Sequence, residues 1–165
     1  MIRTGVLTVS DRGARGDRVD TSGPAVAALI GSIGAQVART AIVADDLETI
    51  AARLRDWSDD DRLDLVLTTG GTGLAPTDVT PEATLAVAER HVPGLAEVMR
   101  EVGRQSTPLA ALSRSVAVVR GKTLIVNLPG SERGARESLK AILELLPHAV
   151  DLLQGDAGDQ HPVGP

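Results

Sequence analysis

Cysteine is absent from the 165-residue chain, which excludes disulfides, thiolate catalysis and Cys-ligated zinc or iron–sulfur centres. Phenylalanine and tyrosine are absent as well, and Trp57 is the single aromatic residue. A stacking platform for single-stranded nucleic acid needs several aromatic faces, so that class falls away. An excess of positive charge is also missing. The formal net charge is −5, without the basic footprint that DNA or an anionic membrane attracts. No apolar run approaches the ~20 residues of a membrane span, and the N-terminus has no basic-then-apolar leader pattern. The expectation is a soluble, cytoplasmic protein with neither nucleic acid nor membrane as partner.

What is present is a core of Ala, Val, Leu and Ile within a chain that is 42% hydrophobic, packed by shape rather than by rings. Of the 17 basic residues 15 are arginine, a choice that suits local phosphate contacts. The length corresponds to about one domain, read as residues 1–154. The Gly-, Asp- and Pro-rich residues 155–165 are expected to form a mobile tail.

Residues 2–9 read as a buried strand that delivers a polar loop over residues 10–22. Residues 25–33 read as a helix after Pro24, residues 37–43 as a second strand, and residues 47–57 as a second helix. Asp59, Asp60 and Asp61 are expected in a solvated turn. A strand over residues 63–68 runs into Thr69-Gly70-Gly71-Thr72-Gly73. Thr80 has the character of an N-cap before Pro81, for a helix reaching about Arg90. Pro93 restarts a helix to about Ser106. Residues 115–119 and 123–128 flank Gly121-Lys122 as a hairpin or tight strand pair. Ser131 caps a helix to about Leu146, and Pro147 begins a short turn. Strands alternating with helices predict an α/β fold, a three-layer sandwich with a mainly parallel central sheet. In such folds ligands bind beyond the carboxyl ends of the strands. The loops Ser10 to Ser22, Asp45-Asp46, Thr69 to Thr80 and Leu128 to Ser131 are therefore expected on one rim.

The Gly-rich loop is the strongest local signal. Its backbone N–H groups and threonine hydroxyls can cradle a phosphate, although a tight strand-to-helix connection needs the same glycines. It matches neither the Walker A pattern nor the spaced dinucleotide fingerprint. Asp78 either closes a turn before the next helix or holds Mg²⁺ beside a phosphate, and Asp45 or Asp46 could supply a second carboxylate. One of that adjacent pair is expected simply to cap the following helix. Asp11 and Arg12 open the first loop, as turn cap and solvated charge or as ligand contacts. Ser131 and the N–H groups after it suit an oxyanion, with Arg133 as a clamp. His91, His148 and His161 do not cluster.

Thr68 to Gly73 followed by Asp78-Val-Thr-Pro-Glu-Ala-Thr84 resembles the hallmark of the MogA/MoaB family of molybdenum cofactor biosynthesis proteins. Thr8-Val-Ser-Asp-Arg12, Asp20-Thr-Ser-Gly23, Val92-Pro-Gly94, Ala111-Leu-Ser-Arg114 and Asn127-Leu-Pro-Gly-Ser131 are similar to further blocks of that family, in its order, over about residues 5–150. The resemblance implies a molybdopterin-binding-like fold, a homotrimer, and contact with other molybdenum cofactor biosynthesis enzymes. In the MogA branch it implies adenylylation of the molybdopterin phosphate with ATP and Mg²⁺. It puts Asp45 and Asp78 at the catalytic and metal positions, and Thr69, Gly70, Gly71, Thr72 and Gly73 on the nucleotide phosphates. Ser10, Asp11, Arg12, Ser113, Asn127, Pro129, Gly130, Ser131 and Arg133 fall to the molybdopterin side. A MoaB-like pterin or precursor binder without the transferase activity is the alternative. Glu132-Arg133 departs from the Pro-Lys that many relatives carry there.

Overall fold

The computed structural model describes residues 1–155; the expected tail beyond Gly155 lies outside them. Its centre is a six-stranded sheet in the order β2-β1-β3-β6-β5-β4. The strands are β1 (Arg3–Val9), β2 (Gln36–Val43), β3 (Leu65–Thr69), β4 (Arg90–His91), β5 (Ala117–Arg120) and β6 (Thr123–Leu128). β2, β1, β3 and β6 run parallel, while β5 and β4 return antiparallel at one edge. The predicted mainly parallel three-layer architecture is what forms.

Alternate strand residues divide between two cores, because successive side chains leave a strand on opposite faces. On one face Val6, Leu65, Leu67, Leu124 and Val126 pack under α2 (Ser22–Gly31), α5 (Pro93–Ser106), α6 (Glu132–Ile142) and α7 (Leu146–Gln154). On the other, Leu7, Val66 and Ile125 meet Ile50 and Leu54 of α3 (Leu47–Arg55) and Ala83 and Val87 of α4 (Thr80–Val87). A four-residue helix, α1 (Asp11–Ala14), follows β1.

Trp57 belongs to this second core. The α-helix that leads to it ends at Arg55 and widens directly into a π-helical turn over Asp56–Asp60, which contains Trp57 as expected and turns the indole inward to 2% exposure. Gly5 of β1 makes the room: a Cβ there would stand 2.6 Å from the Trp57 ring. Asp59 and Asp61 lie at the surface side of this turn, in ion pairs with Arg120 and Arg39.

Three boundaries differ from expectation. The helix from Thr80 stops at Val87, and Arg90–His91 pair with Val119 and Val118 as an edge strand. The last long helix stops at Ile142, and the segment after it forms a full nine-residue helix, α7. Finally, the loop after β1 is partly helical, capped by Ser10, whose Oγ accepts from the Gly13 N–H at 3.0 Å.

Because β1 lies between β2 and β3, the chain leaves β1 for one side of the sheet and later returns to the other. This reversal opens a crevice at the carboxyl ends of β1 and β3, the usual place for a ligand in an open α/β sheet.

Candidate active site

β3 ends in the buried pair Thr68 and Thr69, after which Gly70 and Gly71 turn the chain with φ of +103° and +68°. Side chains are excluded there by space as well as by conformation. A Cβ on Gly70 would collide with the Val9 carbonyl oxygen, and one on Gly71 with the Thr80 hydroxyl. The loop is pinned from both sides. The Gly70 N–H donates to the Leu128 carbonyl (3.1 Å), and Thr69 Oγ1 to the Pro129 carbonyl (2.7 Å). From α4, Thr80 Oγ1 donates to the Gly70 carbonyl (2.9 Å) and the Thr80 N–H to the Gly71 carbonyl (3.1 Å). Thr80 is thus the first residue of its helix and not its cap: its hydroxyl serves the glycine loop instead.

The adjacent acids after β2 have separate roles. Asp46 caps α3, accepting from the Thr49 N–H (2.9 Å) and hydroxyl (2.7 Å), which hold its carboxyl below the ordinary range. Asp45 is left to face the crevice beside Gly71, half-buried. Burial pushes its carboxyl above the ordinary range; the N–H of Asp11 partly opposes this, and the negative charges of Asp11 and Asp78 reinforce it. Asp78 closes its own turn, its Oδ2 accepting from the Ala75 N–H at 3.0 Å.

Two cavities meet at this rim. The first, of about 410 Å³, is polar and is lined by Ser10, Asp45, Thr69 and Gly70 together with Asp20 and Ser22. The second, of about 440 Å³, is more apolar, with Met99, Leu109 and Leu112 on its wall beside Thr72, Gly73, Ser113 and Pro129. Gly71, Asp78, Gly130 and Ser131 line both. Ser131 caps the eleven-residue α6, its Oγ accepting from the Gly134 N–H at 3.0 Å, so a helix N-terminus with its partial positive charge opens onto the shared wall. The four expected loops do converge.

Four candidate residues are not brought to either cavity. Asp11 stands behind Asp45 and binds its backbone. Arg12 is exposed and lines neither space. Arg133 is 81% exposed in its side chain and pairs with Glu137 one turn along α6. Asn127 is wholly buried in β6: its amide donates to Thr68 Oγ1 (3.0 Å) and Thr84 Oγ1 (2.9 Å), and its carbonyl accepts from the Val116 N–H (3.3 Å). Both of its N–H donors tie β6 to β3 and α4, and its complete burial keeps it from a ligand in either cavity.

Other residues, to which the sequence assigned no role, help to build the rim. Arg114 grips the outside of the Gly73–Asp78 segment, and Ser22 Oγ donates to the Gly130 carbonyl at 2.7 Å. Asp20 accepts from Thr8 Oγ1 (2.6 Å) and from the Gly23 N–H (2.9 Å), fixing the start of α2 beside the polar cavity. The sequence signal for Asp20, Ser22 and Arg114 was their membership of short polar blocks, without any indication of what each would touch. Leu109 and Leu112 lie on a 3₁₀ turn, Pro108–Leu112, that follows directly on the Pro93 helix.

The described residues hold no group of three or more His, Cys, Asp and Glu that could by themselves enclose a metal ion. Among the described residues no helix is long and apolar enough to cross a membrane. A mainly parallel α/β sheet with a paired polar and apolar cavity at its switch point defines an α/β ligand-binding protein of the open-sheet class. The chain belongs to the family of the probable molybdopterin binding domain, whose model matches residues 5–148. It is 41% identical over 157 residues to a molybdopterin adenylyltransferase of Helicobacter pylori strain J99, an alignment covering 94% of this chain and 89% of that one. It is 45% identical over 156 residues to the molybdenum cofactor synthesis protein cinnamon of Drosophila melanogaster, covering 94% of this chain but only 26% of that much longer protein. Its fold superposes with a TM-score of 0.89 on the molybdopterin biosynthesis enzyme MoaB of Thermus thermophilus, at 56% identity, covering 94% and 98% of the two chains.

Proposed function

We propose that this chain is a molybdopterin adenylyltransferase: it binds molybdopterin and ATP side by side and transfers the adenylyl group to the pterin's terminal phosphate. One observation carries the reading, namely that Gly71, Asp78, Gly130 and Ser131 are common to both cavities. The apolar cavity suits the pterin ring, and the polar one the phosphates of the nucleotide. The phosphate ends then meet at the shared wall. A pterin phosphate oxygen attacks the α-phosphorus of ATP, the bond from that phosphorus to the bridging oxygen breaks, and pyrophosphate leaves. The nucleophile is already ionised near neutral pH, so no strong general base is required. Both reactants are anions, and the work of the site is to hold them together with N–H dipoles and positive charge. The N–H groups of Gly71, Thr72 and Gly73 and the start of α6 supply the dipoles, the Gly70 N–H being held by the Leu128 carbonyl.

Asp45 and Asp78 fit a magnesium ion. They are half-buried hard oxygen donors on one cavity, and the space beside Asp45 is open because Gly71 has no side chain. Magnesium takes one or two carboxylates and completes its shell with phosphate oxygens and water, so a third protein acid is not needed. When bound it supplies charge neutralisation for the approaching phosphates. Ser10 falls to the nucleotide side under this reading, with Ser113 and Pro129 on the pterin side. A cytoplasmic homotrimer in contact with other molybdenum cofactor enzymes is part of the same proposal. Leu74, 65% exposed and outside both cavities, offers uncovered apolar surface for such contacts.

The relationship to the Thermus MoaB structure keeps a second reading, a pterin binder that does not adenylylate. Equilibrium titrations separate the two. A transferase binds Mg-ATP as well as molybdopterin, and Asp78→Asn weakens the dependence of ATP binding on Mg²⁺ while sparing the pterin. Pterin binding with no Mg-ATP binding moves the chain to the second class.

A further inference from the structure

Arg114 lines neither cavity, yet it ties down the backbone of the glycine loop at three points. Its Nε donates to the Gly73 carbonyl (2.8 Å) and its Nη2 to the Asp78 carbonyl (2.7 Å), while its backbone N–H donates to the Thr72 carbonyl (2.9 Å). The remaining nitrogen, Nη1, is held by Glu82 in the first turn of α4. One planar fork therefore joins the two ends of the Gly73–Asp78 turn and is itself fixed from behind. Carbonyl oxygens captured on this outer side cannot turn toward the cavities, where they would repel phosphate. The same grip sets the height of the Asp78 main chain, and with it the carboxylate that the Ala75 N–H steadies.

We propose that Arg114 is the positioning residue of the Asp78 turn, acting through the backbone and touching neither substrate. The inference rests on the adenylyltransferase reading for its kinetic consequence but not for its structural one. Lysine's donors all radiate from one nitrogen and cannot reproduce the fixed spacing at which Nε, Nη1 and Nη2 each hold a separate partner, so the fork is the essential feature.

The test uses Arg114→Met, Arg114→Lys and Glu82→Gln in the full chain, with two readouts. Amide hydrogen exchange, in the absence of substrates, should show the N–H groups of Ala75, Asp78 and Thr80 exchanging at least ~10-fold faster in Arg114→Met and Arg114→Lys. The core strands should stay protected, and Glu82→Gln, which still accepts from Arg114, should remain near wild type. In turnover, Arg114→Met should lower kcat on the order of 10²-fold, the size expected of an ångström-scale misplacement, with KM for the pterin within about threefold. Unchanged exchange in the 73–80 segment overturns the proposal, as does full kcat in Arg114→Lys. If Arg114→Met fails to fold, the lysine variant decides alone. Absence of adenylylation in the wild-type protein would defeat the functional reading, and the exchange rates would then decide the role of Arg114 by themselves.

Discussion

Asp11 and Asp45 bind each other reciprocally: the Asp11 N–H donates to Asp45 Oδ2 at 2.9 Å, and the Asp45 N–H donates to Asp11 Oδ1 at 2.8 Å. Each carboxylate satisfies the other's backbone, and together they lock the end of β1 to the end of β2. Asp11 is thus a support for Asp45 rather than a ligand contact of its own. Asp11→Ala should cost about 1 kcal/mol, the usual net value of a hydrogen bond of this kind, and lower kcat at least tenfold. Asp11→Asn keeps an acceptor for the Asp45 N–H and should retain most of both. Urea denaturation beside steady-state turnover checks the pair; equal behaviour of the two variants would remove Asp11 from this role.

Asp45 carries the opposite relation between stability and function. Its carboxyl is held above the ordinary range by burial, then by the like charges of Asp11 and Asp78. The folded state therefore binds the proton more tightly than the unfolded chain, and stability contributed at this position falls as pH rises from the ordinary carboxylate range through the raised pKa, then stays flat. At neutral pH the ionised group is a net burden, so Asp45→Asn should raise Tm while abolishing Mg²⁺-dependent turnover. Thermal scans from about pH 3.5 to about pH 8 should show the gap in favour of the variant opening with pH. A variant less stable than wild type at neutral pH contradicts this.

Asn127 shows why a block can be legible and its role not. Within β6, two residues before Pro-Gly-Ser, it reads as a ligand contact only through the family resemblance of the Asn127-Leu-Pro-Gly-Ser131 block. Its partners Thr68 and Thr84 lie 59 and 43 residues away in sequence, and nothing local reveals that they will enclose it. Asn127→Ala leaves those hydroxyls and the Val116 N–H short of partners and should cost about 2–4 kcal/mol in urea. The folded fraction should bind the pterin with unchanged Kd. Weakened binding in a fully stable variant would return Asn127 to the ligand.

Elsewhere the periodic signals carried. β1, β3 and β6 are apolar runs that end in polar loops, Pro93 and Ser131 start their helices, and the carboxyl-end rule puts the right loops together. What local rules missed was decided at long range. Thr80 looks like a cap, yet a carbonyl ten residues back claims its hydroxyl. β4 is two residues long and exists through its pairing with Val118 and Val119. Trp57 continues the helical pattern, but the helix widens to a π turn there, with the indole over the space that Gly5 leaves open.

Arg133 provides the negative control. Exposed and, among the described residues, paired with Glu137 alone, it stands outside both cavities. Arg133→Ala should change stability by no more than about 0.5 kcal/mol and leave KM for the pterin within twofold. A tenfold rise in KM would mean that α6 begins closer to the bound phosphate than this geometry has it.

The most direct test of the transferase is transfer itself, followed with ATP labelled at the α-phosphate, purified protein, molybdopterin and Mg²⁺. The label should move onto the pterin with one pyrophosphate released per adenylylated product, and Asp78→Asn should bind the pterin yet form no product. Tight pterin binding by the wild-type protein with no labelled pterin at any Mg-ATP concentration would contradict the assignment and leave a binding protein whose glycine loop holds a ligand without activating it.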